Sequence, residues 1–433
     1  MGLRSIWQRR LRQSVAEIVR AAADRAEAFY RQHARAALKT AWAFTVVWHE
    51  QIVDVLAIDD ERTVGTARLR IAASLGHVER IVVDPEFRRR GIPTETFDLD
   101  AAGAGVLLPF RDGITGRIAL DARVLWFSTA GTWRAARRFR GRGDDTIVIC
   151  HNDVVFGDVY VNHGNLVGSM RARGHFWLRM VRNPLHLFTW ARDAARYSHG
   201  PHTVIVNLTA EEERLLRVTY PGLRARTEVI GNGVDVDRFQ PDPDLRAATR
   251  HDLGLAATDI AVVFVGHEFD RKGLPLLIRA VADLPERFHL VVVGGTPDMI
   301  EAAASRCTTL GIGRRVHFVG RQDDPRPYLV AGDVFALPSA YEAYPLVVLE
   351  ALACALPVVA TPVGSVPDLI DGRNGRVVER SAPAIRAALE DLGAADLGAT
   401  GAAARETALA HSWPKVADEY VRLFEGILRE RGR

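Results

Sequence analysis

The chain has 433 residues, 48% of them hydrophobic, with a formal net charge of +3. That length allows two or three domains with packed cores; no apolar run approaches the roughly 20 residues of a membrane-spanning helix, and the start lacks a secretory pattern. A cytoplasmic protein is expected. The three cysteines, Cys150, Cys307 and Cys354, stand far apart, without zinc-site or disulfide spacing, and read as small buried hydrophobes. The charge is unevenly spread: residues 1–230 hold 34 Lys+Arg against 25 Asp+Glu, and residues 231–433 hold 22 against 28. The basic excess gathers in the first 49 residues and in Arg134, Arg137, Arg138, Arg140 and Arg142. Such a distribution suits an anionic membrane surface or acceptor, or simply a solvated helix face, and nucleic acid is not expected as a partner.

In chain order, residues 1–48 are expected to form a helical extension, with Ile6, Val15, Ile18, Val19, Ala22, Ala26 and Phe29 at intervals of three and four. From residue 49 to about 232, β-rich runs (IVDVLAI, VERIVV, ARVLWF, TIVIC, VYVNHG, TVIVNLT) alternate with helical stretches, which predicts a parallel sheet covered by helices. The segment VIGNGVDVDRFQPDPD gathers Gly, Asn, Asp and Pro and reads as a linker. A second alternation runs from 233 to about 410: AVVFVG, LPLLIRAVADL, HLVVVGG, VHFVG, VFALPS, LVVLEALACA and PVVAT. The tail from residue 411 to 433 is expected to be an amphipathic helix returning toward the first domain, with Val416, Tyr420, Leu423, Phe424 and Ile427 on one side. The predicted fold is thus α/β, two Rossmann-like doubly wound domains facing a cleft.

Candidate chemistry concentrates in the second half. In SAYEAYPLVVLEALACALPVVAT, Pro345 suits the first turn of a helix, which puts Glu350 on the second turn and Glu342 on the preceding loop. The early amides of that helix, at Leu346 and Val347, can hold a phosphate, and the flanking carboxylates can accept hydrogen bonds from sugar hydroxyls. After the strand AVVFVG, Arg271 and Lys272 fall on a loop at a strand's carboxyl end, where open α/β sheets bind ligands. A guanidinium and an ammonium there can stabilise a departing diphosphate. No metal-ligand cluster stands out, and no cofactor beyond the donor substrate is expected.

These segments, with VIGNGVDVDRF, GHEFDRKG and DGRNG, resemble in order the retaining glycosyltransferases of family 4, which have the GT-B fold; GHEFDRKG is similar to the sugar-nucleotide loop of the lipopolysaccharide-core members. The resemblance implies a UDP- or GDP-sugar donor, a glycan or lipid-linked acceptor, and work in cell-surface glycan synthesis, peripheral to the inner membrane face. It implies that Arg271 and Lys272 hold the diphosphate, that Glu342 touches sugar hydroxyls, and that Glu350 binds the ribose. It also implies that Gly266 and the backbone of Ala343, Tyr344, Leu346 and Val347 line the donor, with Arg321 near the base. His267, Ala355, Ser365 and Asp368 depart from the family's usual residues.

In the first half, the loop holding Gly65 resembles the family's first loop, and GTARLRIAASLGHVERIVV its first helix and second strand. VERIVVDPEFRRRGIP also resembles the pyrophosphate-binding turn of acyl-CoA N-acetyltransferases, with Pro93 in place of a small residue. His163, ending the VYVNHG strand, matches a family histidine near the reacting sugar; Asp153 is an acceptor-side candidate at the end of the preceding strand. A GT-B epimerase or phosphorylase, or a non-catalytic sugar-nucleotide-binding protein, is the alternative.

Overall fold

The structure is a computed structural model. It describes the strands of residues 52–59, 62–72 and 77–78, then residue 122 and residues 124–431 apart from 142–145, 152, 165, 168–169, 171–175 and 183. The expected N-terminal helix and most of VERIVVDPEFRRRGIP lie outside the described residues. The chain divides into two compact units, Met1–Asp98 and Leu99–Arg433, so the first boundary falls inside the stretch expected to form one domain.

In the first unit, β1 (Ile52–Asp59), β2 (Arg62–Ala72) and β3 (His77–Val78) form an antiparallel meander. This corrects two expectations. The strands are not parallel, and residues 67–72 are strand where a helix was expected. Gly65 lies within β2 opposite Ala57, next to a register irregularity, and not on a glycine-rich loop.

The second unit opens with a further correction. The run VLWF is helical: Val124–Trp126 lead into a π-type turn, Phe127–Gly131, and the helix Thr132–Phe139. A four-stranded parallel sheet follows in the order β4 (Ile149–His151), β5 (Val159–Asn162), β6 (Val204–Asn207), β7 (Arg226–Val229). Its central strands β5 and β6 are buried throughout. The helices Phe176–Arg182, Pro184–His199 and Ala210–Thr219 connect the strands.

Residues 230–242 then lead to the helix Pro243–Asp252. Asp242 caps it by accepting from the Leu245 N–H (3.0 Å), and Pro243, with no N–H to satisfy, starts its first turn. The second sheet is six-stranded and parallel: β8 (Ile260–Val265), β9 (Phe288–Val293), β10 (Val316–Gly320), β11 (Val334–Leu337), β12 (Val358–Ala360) and β13 (Gly375–Val377), in spatial order β10-β9-β8-β11-β12-β13. Helices cover both faces, so β8, β9 and β11 read as continuous apolar runs. Val262, Val263, Phe264, Val291, Val292 and Phe335 are fully buried, each worth roughly 1.5–3 kcal/mol of transfer free energy. The strand order reverses between β8 and β11. A crevice opens at such a switch point, outside the strands' carboxyl ends.

The last helix, Trp413–Arg431, buries Val416, Leu423, Phe424 and Ile427. Its final turn reaches the first sheet's layer: Arg431 donates to the Thr146 carbonyl (2.8 Å) and pairs with Asp158, and Glu430 pairs with Arg226 (2.8 Å).

Candidate donor site

Gly266 directly follows β8, its N–H donating to Val293 O (2.9 Å). A short turn of helix, Phe269–Lys272, brings Arg271 and Lys272 back toward the loop after β11, Pro338–Pro345. The two loops are locked together: the Ala340 N–H donates to Arg271 O (2.8 Å), and Arg380 donates to Pro338 O (3.2 Å) and Asp270 O (3.1 Å). Lys272 packs so tightly over Gly266 that a Cβ there would fall 2.1 Å from Lys272 Cδ.

Both cations converge on one carboxylate oxygen. Glu342 Oε1 lies 2.9 Å from Lys272 Nζ and 3.1 Å from an Arg271 amino nitrogen, and accepts from Ser339 Oγ (2.8 Å). Burial would raise the Glu342 carboxyl, but Lys272 and Arg271 outweigh it and hold it below the ordinary carboxylate value. Burial likewise opposes the Arg271 charge, and Glu268 (2.7 Å) with Glu342 restores it, leaving Arg271 above its usual value. The result is an array of two cations, Arg271 and Lys272, held between the part-buried Glu342 and the exposed Glu268 at the switch point, where an anionic ligand with hydroxyls can compete for the same cations.

Ala343 and Tyr344 continue the loop. A Cβ on Gly364 would fall 2.6 Å from Ala343 O, and one on Gly164 would stand 3.9 Å from Ala343 Cβ, so the end of β5 lies beside the donor loop. Tyr344 donates its hydroxyl to Asn232 O (3.1 Å), tying the loop to the segment that joins the two sheets. Pro345 caps the Leu346–Ala353 helix without a side-chain hydrogen bond, and the Val348 N–H turns back to Pro345 O (2.9 Å). The amides of Leu346 and Val347 precede the helical hydrogen-bond ladder and suit an anion.

Glu350, one turn into the helix, joins a different group. Its electrostatic neighbours are Arg238, from the joining segment, and Asp324, after β10, which pair with each other at 3.4 Å. Arg321 is exposed on the loop after β10. The site therefore brings together Gly266, Arg271, Lys272, Glu342 and Ala343; Glu350 sits on the adjoining helix in a second polar cluster, and Arg321 follows Gly320, whose carbonyl accepts from the Gly294 N–H (2.7 Å).

On the first sheet, His163 directly follows β5, and its Nε2 lies 2.9 Å from Nδ1 of His151, the last residue of β4; the rings stack at 5.2 Å. Burial lowers His163 to about 4, and burial plus His163 lowers His151 well below the usual histidine value. The pair is neutral at physiological pH and shares one proton across the contact. Asp153 is buried, and Arg192 bonds it at 2.5 Å while also holding Asp193 (2.9 Å) and Ser128 (3.1 Å).

The sequence reading missed Ser339, Glu268, His151, Arg238, Asp324 and Arg380. Ser339 lies three residues before Glu342 on the same loop and could have been found from that spacing; the others depend on loops meeting in space. The cysteines are free and buried as expected, and burial pushes the Cys150 thiol up to about 12. Among the described residues no group of three His, Cys, Asp or Glu side chains is arranged to hold a metal ion, and no helix is long and apolar enough to cross a membrane.

Two parallel sheets covered by helices, with a crevice at the second sheet's switch point, define the GT-B architecture. WaaG, a glycosyltransferase involved in lipopolysaccharide biosynthesis, superposes with a TM-score of 0.59 at 22% identity over 74% of this chain and 86% of its own. HepE of Anabaena, in complex with UDP and glucose, does so at 0.54 and 19% identity over 70% and 76%. Residues 259–394 match the family Glycosyl transferases group 1. D-inositol 3-phosphate glycosyltransferase of Mycolicibacterium gilvum is 37% identical over 230 residues, 50% of each chain. A GDP-mannose-dependent alpha-(1-6)-phosphatidylinositol monomannoside mannosyltransferase of Mycolicibacterium smegmatis is 37% identical over 186 residues, 40% of this chain and 48% of its own. The chain spans about half the length of these curated relatives. Residues 14–96 match the Acetyltransferase (GNAT) family. That match takes in both Gly65 and VERIVVDPEFRRRGIP, the run whose sequence resembles the acyl-CoA N-acetyltransferases.

Proposed function

We propose that the chain transfers a hexose from a UDP- or GDP-sugar to a hydroxyl of a glycan or lipid-linked acceptor, with retention at the anomeric carbon. The observation that carries this reading is the convergence of Arg271 and Lys272 on Glu342 at the switch point between β8 and β11. Before the donor arrives, Glu342 and Glu268 together balance the two cations. A diphosphate supplies their counter-charge instead and leaves Glu342 as an acceptor for sugar hydroxyls. As the bond between anomeric carbon and diphosphate oxygen breaks, Lys272, Arg271 and the amides of Leu346 and Val347 take up the developing charge. The acceptor oxygen enters on the face the diphosphate leaves, and its proton passes to a leaving phosphate oxygen. His163, neutral and beside the donor loop, orients a sugar or acceptor hydroxyl, and Glu350 binds the ribose. In this reading residues 233–410 are the donor domain, the β4–β7 sheet carries the acceptor side, and the work is cell-surface glycan or glycolipid synthesis at the inner membrane face.

Lys272→Ala is expected to lower turnover at saturating donor by on the order of 10²-fold, as loss of one preorganised charge stabiliser does. Unchanged turnover would overturn the reading. The GNAT match supports a second activity in the Met1–Asp98 unit, use of an acyl-CoA. A thermal-shift titration with acetyl-CoA should raise the melting midpoint, and no shift at millimolar ligand removes it.

A further inference from the structure

His163 is held twice over, by its ring from β4 and by its backbone from β6. His151, the last residue of β4, stands in register with Val161 of β5, and the two-residue period of a strand puts His163 on the same side of the chain as Val161. The two imidazoles meet there, His163 Nε2 lying 2.9 Å from His151 Nδ1 with the ring centroids 5.2 Å apart. Both rings are neutral, because burial lowers both and His163 lowers His151 further. A neutral imidazole has one N–H and one lone pair, so one ring donates across the contact and the other accepts. The bond at Nε2 therefore decides which tautomer His163 adopts, and Nδ1 is the nitrogen it has for a ligand.

The backbone is tied from the other side. Asn162 ends β5 and Asn207 ends β6, in register with each other and both fully buried. The Gly164 N–H donates to Asn162 Oδ1 (3.3 Å), which leaves the Asn162 amide nitrogen to donate to Asn207 Oδ1 (3.0 Å). His163 thus sits in a turn, Asn162–Gly164, whose two flanking residues are bonded to each other and, through Asn162, to the next strand. That turn lies against the donor loop, since a Cβ on Gly164 would stand 3.9 Å from Ala343 Cβ. One strand further the arrangement repeats: the Ile230 N–H donates to Asn207 O (3.0 Å), and a Cβ on Gly231 would fall 2.7 Å from the Tyr344 hydroxyl oxygen.

We propose that His151 is a positioning residue: through the imidazole pair it sets the tautomer and the angle with which His163 offers Nδ1 to a hydroxyl of the donor sugar or acceptor, while Asn162 and Asn207 set the turn that carries the ring. This role rests on the transfer reaction proposed above. A ring nitrogen held in place distinguishes one hydroxyl of a sugar from its neighbours, which a freely turning one does not. The first sheet then selects the hydroxyl through four side chains bonded across three strands, and not through one histidine.

Two substitutions of His151 separate positioning from packing. Leucine comes close to the imidazole's volume with no hydrogen bond to offer, and asparagine fills less of the space but puts an amide where Nδ1 stood. With UDP-glucose and GDP-mannose as donors, His151→Asn should keep most of the turnover, and His151→Leu should lower kcat on the order of 10²-fold, the usual result of a misplaced group. Affinity for UDP or GDP, read by calorimetry, should stay at the parent value in both, because the diphosphate side belongs to the second sheet. In a His163→Ala background, His151→Leu should cost nothing further. A second readout needs no turnover: the imidazole nitrogen NMR spectrum of the full chain, labelled in histidine, should show one tautomer for His163, kept in His151→Asn and mixed in His151→Leu. Absence of turnover with both donors, alongside that pattern of tautomers, would remove the transfer reaction and leave the pairing supported. The proposal is overturned if His163 is already a mixture in the parent, or if His151→Leu turns over like the parent while His151→Asn does not. Equal losses of kcat in both variants, matched by a fall in thermal midpoint, would make His151 a packing residue and overturn it as well.

Discussion

Glu350 stands on the second turn of the Leu346–Ala353 helix, where burial pushes its carboxyl up from 4.5 to about 7; Arg238 opposes the shift and Asp324 adds to it. As the pH rises from 4.5 toward 7, the unfolded chain releases this proton while the folded chain keeps it. Stability is therefore lost across that window and the loss is constant above it. Glu350→Gln removes the ionisation without changing shape. The variant should be more stable than the parent by on the order of 2 kcal/mol at about pH 8 and equal to it at about pH 4. Urea unfolding at the two pH values checks this, and a parallel offset at both would show that Glu350 does not titrate between them. If Glu350 also receives the donor ribose, donor affinity should change with a midpoint near 7 in the parent and lose that midpoint in the variant. Nearby, Ala355 follows the same helix at φ 59°, a left-handed backbone that glycine adopts without cost. The departure from the family's glycine noticed in the sequence thus corresponds to local backbone strain.

The donor loops cohere as elements because of Gly273. It lies between the helices Phe269–Lys272 and Leu274–Ala282 at φ 80°, and a Cβ there would fall 2.1 Å from the Pro338 carbonyl. The β8 and β11 loops can approach this closely only without a side chain, and the approach puts Arg271 and Lys272 within reach of Glu342. Gly273→Ala adds the left-handed penalty of about 1–2 kcal/mol to a clash with backbone that ends a buried strand. The expected outcome is a loss of roughly 2 kcal/mol or more in unfolding free energy together with weaker donor binding; melting and donor titration measure the two. Much of this half was legible beforehand. Parallel strands buried on both faces leave unbroken apolar runs such as AVVFVG, and Pro345 announces a helix start. The meander was legible too, in the alternation of Ala67, Leu69 and Ile71 with Arg68 and Arg70, but its alanines were given to a helix. VLWF failed differently, since a short apolar run carries no period to separate strand from helix. The bonds of Glu342 to Ser339 and of Arg271 to Glu268 had no more than local signals, because the meeting of two loops is set by the sheet's order and not by either loop's composition.

At the scale of the Leu99–Arg433 unit, the chain passes between its two sheets twice, and the passages are bonded to each other. The Val234 N–H donates to His411 O (3.0 Å) and the Trp413 N–H to Val234 O (3.3 Å), while a Cβ on Gly233 would fall 2.7 Å from the Trp413 ring. The final helix then carries the second passage back, and its last turn supplies the cation for a buried anion. Asp158, 4% exposed, accepts from the Val148 N–H (2.7 Å) and pairs with Arg431, which also holds Thr146 O. Asp158 O in turn accepts from the Thr203 and Val204 amides, so this residue sits where β5 and β6 are joined. Arg431→Ala removes this cation from the buried carboxylate. Removing one partner of such a pair typically costs a few kcal/mol, and here roughly 2 kcal/mol is expected because Arg431 keeps some contact with water. The loss should fall on the first sheet. Hydrogen exchange of the β5 and β6 amides is expected to accelerate while that of β8 and β9, remote from the pair, stays at the parent rate. Asp158→Asn in the Arg431→Ala background should recover part of the stability by removing the stranded charge. Uniform acceleration across both sheets would show that the terminal helix braces the unit as a whole and not the first sheet through this one ion pair.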